Sequence, residues 1–215
     1  MAEDNMKIKL VNTAYDLLQK ISPNKITARM IADEIGCTNP VIYYHFENLD
    51  ELILIASMRF FDDYLTNFKQ LTKDHNASPY DLHMQAWRMF GEIAFSHVEV
   101  YDSLFWGKYR KKASSALLEY YKLFPESRPD NDSSYSVVFF IDAIEERTYI
   151  MLKMAAAAGE MPAEDLRTFA EVQCSMFHGI LLDYVDCYWD KEKAAEGLEK
   201  AMSMLEFVNS LYRIK

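Results

Sequence analysis

The chain has 215 residues, half of them apolar and 26% charged, a profile that excludes a disordered, collagenous or disulfide-stapled protein. Six Gly and six Pro are about half the share of average usage, too few turn-formers for a many-stranded sandwich or barrel, and this leaves an all-α fold. A net charge of −10 argues against non-specific coating of nucleic acid, so any nucleic-acid contact must be local.

The predicted elements follow from apolar spacing and from where Pro and Gly interrupt it. Ile8, Val11, Tyr15, Leu18 and Ile21 mark one face of a first helix that ends before Ser22-Pro23. Thr27 caps a short second helix through Ile31 and Ala32 to Ile35, and Gly36 stands where the chain must turn at positive φ. A third helix starts near Thr38, tolerates Pro40 in its first turn and carries Val41, Ile42, Tyr43, Tyr44, His45 and Phe46. Asn48 and Glu51 form a capping-box variant that opens a long fourth helix, Leu49 to about Lys73. Ser78-Pro79-Tyr80-Asp81 starts a fifth that runs to about Ser96.

Val98 to Phe124 holds two helices broken near Gly107, and a polar loop follows from Pro125 to Ser134. Tyr135 to Ala158 predicts a long apolar helix stopped by Gly159, Pro162 opens another through Tyr188, and Asp190 caps the last, to about Arg213. The longest stretch free of Asp, Glu, Lys and Arg is Ile35 to Phe46, 12 residues, short of the roughly 18 that span a bilayer. Met1 to Lys9 has no apolar run of signal-peptide length. Cys37, Cys174 and Cys187 are an odd, widely spaced set that suits a reducing compartment. A cytoplasmic protein without membrane contact is therefore expected.

Two short helices joined through a glycine turn and preceded by a third fit a helix-turn-helix. Ile26-Thr27-Ala28-Arg29-Met30-Ile31-Ala32-Asp33-Glu34-Ile35-Gly36-Cys37-Thr38, then Val41 to Phe46, then Asn48-Leu49-Asp50-Glu51-Leu52 sharpen that pattern. Over roughly Lys7 to Leu54 the chain resembles the tetracycline-repressor (TetR) family of bacterial transcription regulators. The resemblance implies a DNA-binding domain over 1–48 and a helical ligand-binding and dimerisation domain over 49–215. It implies a homodimer on a palindromic operator, a small-molecule effector, no cofactor and no enzymatic activity.

The third helix sets Thr38, Asn39, Tyr43, Tyr44 and His45 beside apolar Val41, Ile42 and Phe46, a mixture suited to phosphates and base edges. The expected DNA-binding residues are Lys25, Thr27, Arg29, Thr38, Asn39, Pro40, Tyr43, Tyr44 and His45. Many family members carry Lys where this chain has Asn39 and Leu49, and no Lys or Arg lies between Met30 and Met58. Residues 1–48 hold five cations against six acids. A helical binding protein that has lost DNA recognition is accordingly the alternative reading.

In the second half, aromatic and methionine side chains supply adaptable apolar surface for a cavity. Expected ligand contacts are Met84, Trp87, Phe90, Phe105, Trp106, Tyr109, Phe140 and Met151. Helices Tyr135–Ala158 and Pro162–Tyr188 are expected to meet a partner's across a two-fold axis, with Ala170, Cys174, His178 and Gly179 of the second as a row of modest side chains at the close contact. Cys174 and His178 share a helix face, but two ligands are too few for a metal site. Asp142, Glu145 and Glu146 have no neighbouring nucleophile, Lys108 to Lys112 reads as a basic helix surface, and Arg88 with Glu92 as an i, i+4 surface pair.

Overall fold

A computed structural model describes residues 2–72, 77–128, 141–187 and 190–212. Among them are ten α-helices and no strand: α1 Ala2–Leu18, α2 Ala28–Ile35, α3 Asn39–His45, α4 Leu49–Leu71, α5 Pro79–Ser96, α6 Val98–Phe105, α7 Ala113–Leu123, α8 Ile144–Ala157, α9 Leu166–Leu182 and α10 Lys191–Ser210. Packing divides the chain into two compact units, Met1–Asp63 with Glu99–Pro129, and Tyr64–Val98 with Asp130–Lys215. The division expected after residue 48 differs from this one: by packing, α4 belongs to the first unit as far as Asp63.

In the first unit α1 packs on α2 and α7, and α2 on α3. Leu10, Val11, Ala14 and Leu18 of α1 are buried, as are Ile31 and Ala32 of α2 and Ile42 of α3. Tyr101 and Phe105 of α6 are fully buried too, the Tyr101 hydroxyl donating to the Phe60 carbonyl at 3.2 Å and the Phe105 ring meeting Phe61 at 5.3 Å. Asp62 is buried and accepts from the Tyr121 hydroxyl at 3.0 Å; burial pushes its carboxyl above the usual range.

In the second unit α5, α8, α9 and α10 pack pairwise around one core. Phe177 of α9 lies against Trp87, Phe90 and Phe95 of α5, with centroids 4.7, 5.6 and 5.5 Å away. The α5–α10 crossing is close because Gly197 has no side chain: a Cβ there would lie 2.5 Å from Phe95 Cδ1. Any larger residue would force the helices apart.

Several boundaries move. The helix expected from Pro162 begins at Leu166, because Asp165 takes a left-handed conformation at φ 54° that ends any helical path before it. It also ends at Leu182, short of Tyr188, which lies outside the described residues with Trp189. The apolar helix expected from Tyr135 starts at Ile144; 135–140 and most of the expected polar loop are likewise outside, as are Lys73 and Arg213. Gly159, at φ 77°, stands just past the end of α8 as expected. No helix is long and apolar enough to cross a membrane among the described residues.

Candidate nucleic-acid interface and ligand cavity

The first candidate site lies in the first unit. Thr27 sits in extended conformation and its hydroxyl accepts from Met30 N at 3.3 Å, capping α2. Gly36 ends α2 at φ 71°, and Cys37 N returns to the Ala32 carbonyl at 2.9 Å. This left-handed cap turns the chain within three residues into α3. Thr38 is the N-cap of α3 but makes no side-chain cap bond, and Asn39 and Pro40 fill the first turn. Asn48 Oδ1 accepts from Glu51 N at 2.9 Å, while the Glu51 carboxylate reaches back to Glu47 N at 2.6 Å. The capping box is thus reciprocal with its return bond one residue early.

This geometry sorts the faces of α3. Ile42 and Phe46 are buried, whereas Tyr43 and Tyr44 are 54% and 74% exposed. His45 is half-buried, edge-on to Tyr44 at 5.0 Å between ring centroids. Lys25, Thr27, Arg29, Thr38, Asn39 and Pro40 are all exposed. All nine sequence-predicted residues therefore fall on or beside α2 and α3, and the two tyrosines do not serve as core. Arg29 pairs with Asp33 at 3.4 Å, but with both side chains largely exposed this contact is weak and easily exchanged for a phosphate.

The turn between α6 and α7 is pinned to the start of α4. Lys108 Nζ donates to Asp50 Oδ1 at 2.8 Å and the Tyr109 hydroxyl to the Asp50 carbonyl at 3.2 Å. The Lys108 bond holds the Asp50 carboxyl below its usual range. Lys108 is hence an ion-pair partner rather than only part of a basic surface.

The second candidate site is a cavity of about 50 Å³ in the second unit. Tyr64, Leu65 and Phe68 of α4 form one wall, His83, Ala86, Trp87 and Phe90 of α5 another, and Ile144, Arg147, Thr148 and Met151 of α8 a third. Trp87 and Phe90 meet edge to face at 5.8 Å, as do Tyr64 and Phe90. The polar side chains on these walls are held from behind. His83 Nε2 and Trp87 Nε1 both reach Gln173 Oε1, at 3.0 and 3.3 Å, and Gln173 Nε2 donates to Asn209 Oδ1. Because that amide nitrogen is engaged with Asn209, its oxygen is the acceptor, which makes His83 Nε2 the protonated nitrogen. Burial lowers the His83 pKa to about 4 and raises that of Tyr64 to about 12, so both are neutral near pH 7.

Of the expected ligand contacts, Trp87, Phe90 and Met151 line this cavity. Met84 does not; its sulfur accepts from Asn209 Nδ2 at 2.9 Å beside a separate surface groove. Phe105, Trp106 and Tyr109 belong to the first unit, where Phe105 is core and Tyr109 is tied to Asp50. Phe140 lies outside the described residues. Sequence reasoning missed Tyr64, Phe68, His83, Arg147 and Thr148. The signal for α8 was present: Ile144, Arg147, Thr148 and Met151 fall at 3, 1 and 3 residues, which puts an arginine on an apolar helix face.

The first half of the small-residue row on α9 is not surface. Ala170 and Cys174 are buried, Cys174 Sγ lying 3.4 Å from Thr148 Oγ1. His178 is half-buried and Gly179 exposed. In the second unit the exposed large apolar side chains among the described residues are instead Val172 and Leu182 on α9, Val185 after it, and Met204, Phe207, Leu211 and Tyr212 on and after α10. Val172, Gly179 and Leu182 share one stripe of α9, and Met204, Phe207 and Leu211 one line at the end of α10. Arg88 pairs with Glu199 at 2.6 Å, across to α10. Among the described residues no three His, Cys, Asp or Glu side chains gather to hold a metal.

No protein-family model and no curated protein sequence matches the chain. Solved structures do. SmeT, the repressor of the Stenotrophomonas maltophilia multidrug efflux pump SmeDEF, matches with a TM-score of 0.58 over 97% of this chain and 91% of its own, at 15% identity. A crystal structure from Mesorhizobium loti MAFF303099, assigned to the TetR family of transcriptional regulators, matches with a TM-score of 0.58 over 98% of both chains, at 11% identity. The chain has the tetracycline-repressor fold. A structure solved for the control of antibiotic production by a bacterial hormone agrees, at a TM-score of 0.59 and 14% identity over 98% of both chains. SmeT is also known in complex with triclosan, and that structure matches at a TM-score of 0.52 and 16% identity over the whole of this chain and 93% of the other.

Proposed function

We propose that the chain is a cytoplasmic, ligand-responsive transcription regulator. Residues 1–48 read DNA; residues 49–215 bind an effector and dimerise. It works as a homodimer on a palindromic operator and is released from it by a small, largely apolar molecule. The observation that carries this reading is the sorting of α3: Ile42 and Phe46 close the core while Tyr43 and Tyr44 stand in solvent. Exposing two adjacent aromatic rings is costly unless a partner covers them, and their hydroxyls suit phosphates and base edges. The fold shared with SmeT, a repressor that has been crystallised with a small molecule, supports the same reading.

The exposed apolar line on α9 and α10 is the surface proposed for dimerisation, in place of α8, whose large apolar side chains are at most half-exposed. Pairing two such helices from each protomer about a two-fold axis presents two copies of α3 to successive major grooves. The effector occupies the cavity between α4, α5 and α8.

An operator selected from random-sequence DNA by the purified protein provides the test. Tyr43→Ala should lower operator affinity at least tenfold while circular dichroism and dimer mass stay unchanged. Unchanged affinity refutes the assignment of α3. Failure to select any sequence would instead favour the binding protein without DNA recognition, to which the scarcity of cations between Met30 and Met58 points.

A further inference from the structure

The His83 ring is 1% exposed and lines the cavity, and Trp87 settles its tautomer. An indole N–H can only donate, so the Gln173 atom that Trp87 Nε1 meets at 3.3 Å is the amide oxygen. His83 Nε2 meets the same oxygen at 3.0 Å and must therefore carry a proton. Burial lowers the His83 pKa to about 4, so near pH 7 the ring holds that proton alone and Nδ1 presents a bare lone pair. Among the described residues Nδ1 has no hydrogen-bond partner, and it is not sealed off by packing as the Nδ1 of His45 is. The cavity is the side from which a donor can reach it. Neighbouring polar groups on the wall have other engagements. Gln173 Oε1 already accepts twice, Thr148 Oγ1 lies 3.4 Å from Cys174 Sγ, and Tyr64 and Arg147 have further interactions of their own.

We propose that the cavity takes a small neutral molecule, an aromatic body bearing one hydroxyl or N–H donor, and that His83 Nδ1 is the atom that accepts from it. This deepens the reading of the cavity as the effector site and rests on it. A buried acceptor left unpaired is costly, and a ligand that supplies the missing donor recovers that cost on binding. Trp87, Leu65, Ile144 and Met151 supply apolar surface for the body. The network behind His83 makes the choice of donor over acceptor firm: the ring cannot turn its proton toward the ligand without leaving Nε2 lone pair against the lone pairs of Gln173 Oε1. A ligand whose only polar atom is an acceptor would face the same opposition at Nδ1. A ligand of the same shape with no polar atom would leave Nδ1 unpaired.

The test is calorimetric titration of the purified protein, without DNA, with phenol, indole and benzyl alcohol, each alongside the analogue that lacks the donor: toluene, indene and ethylbenzene. At least one donor compound should bind about tenfold or more tightly than its analogue, although the analogue is the more hydrophobic of the two. In the histidine nitrogen-15 spectrum of the wild-type protein, assigned with His83→Gln, the His83 Nδ1 resonance should move on adding that compound and stay in place with its analogue. If no donor compound binds, or none binds more tightly than its analogue, the proposal is overturned. A preference without movement of the Nδ1 resonance also overturns it, because another group then takes the donor. So does a His83→Phe variant that folds, by its circular dichroism, and keeps the preference. Because no DNA is present, a compound that binds in this way yet leaves operator affinity unchanged would defeat the effector reading and leave this result standing.

Discussion

Operator affinity should depend on salt less steeply than in a lysine-rich reading head, and the cations present set the slope. Near α2, each protomer offers exposed Lys25 and Arg29; α1 adds exposed Lys9 and half-buried Lys7. Each phosphate neutralised contributes roughly −0.9 to the slope of log affinity against log salt. Lys25 and Arg29 from two protomers therefore give about −3.6, and all four residues about −7. At the lower figure affinity falls about 150-fold between roughly 50 and 200 mM salt. Fluorescence anisotropy of the selected operator across that range measures it directly. Lys25→Ala, which removes two contacts per dimer, should flatten the slope by about 2 without changing thermal stability, because the side chain is exposed. A slope steeper than about −8, or an unchanged slope in Lys25→Ala, would refute this count of phosphate contacts. Arg110, Lys111 and Lys112, exposed beside the Lys108–Asp50 pair, would then be the next candidates.

Acid should weaken the folded state through His83. Its folded pKa is depressed to about 4, whereas the unfolded imidazole takes a proton near 6.5, so the unfolded state binds more protons between those values and stability falls as pH drops through that window. The loss is about 2 kcal/mol at pH 5, and His97, also depressed to about 4 by burial, adds in the same direction. Urea titrations at pH 7 and 5 should show a smaller difference for His83→Gln; an equal difference would exclude His83 as a source. At the proposed dimer face, Phe207→Glu should give monomer by light scattering, since Phe207 is 60% exposed and the change costs the protomer little. Cys174→Arg should unfold the chain instead, by driving a charge into a core position. A folded, dimeric Phe207→Glu would move the interface elsewhere.

The proposed reading head was legible because local chemistry dictates each of its steps. Thr27 caps, Gly36 alone tolerates the left-handed turn, and Pro40 fits only a first turn; each acts within four residues, and the structure places all three as the spacing implies. The cavity was only partly legible because it depends on which faces of three helices meet, and aromatic residues populate core and cavity alike. Trp87 and Phe90 fit either role; Phe105 belongs to the core. On α9, small side chains at Ala170 and Cys174 marked close approach correctly in kind, but the approaching helix is α8 of the same chain, with Thr148 beside Cys174. The left-handed turn at Asp165 carried no glycine to announce it, so the start of α9 was set four residues too early.

One helix connects the proposed effector to the proposed reading head. α4 runs unbroken from Leu49 to Leu71; its first turn follows α3, and Tyr64, Leu65 and Phe68 near its other end line the cavity. A ligand that pushes the α4 wall of the cavity would act on the same helix whose first turn follows α3. Two of the cavity's three walls, α5 and α8, are packed on each other. The α4 wall is therefore the one with least lateral support inside its unit. Coupling of this kind is a binding free energy and acts both ways: the factor by which an effector weakens operator binding must equal the factor by which operator weakens effector binding.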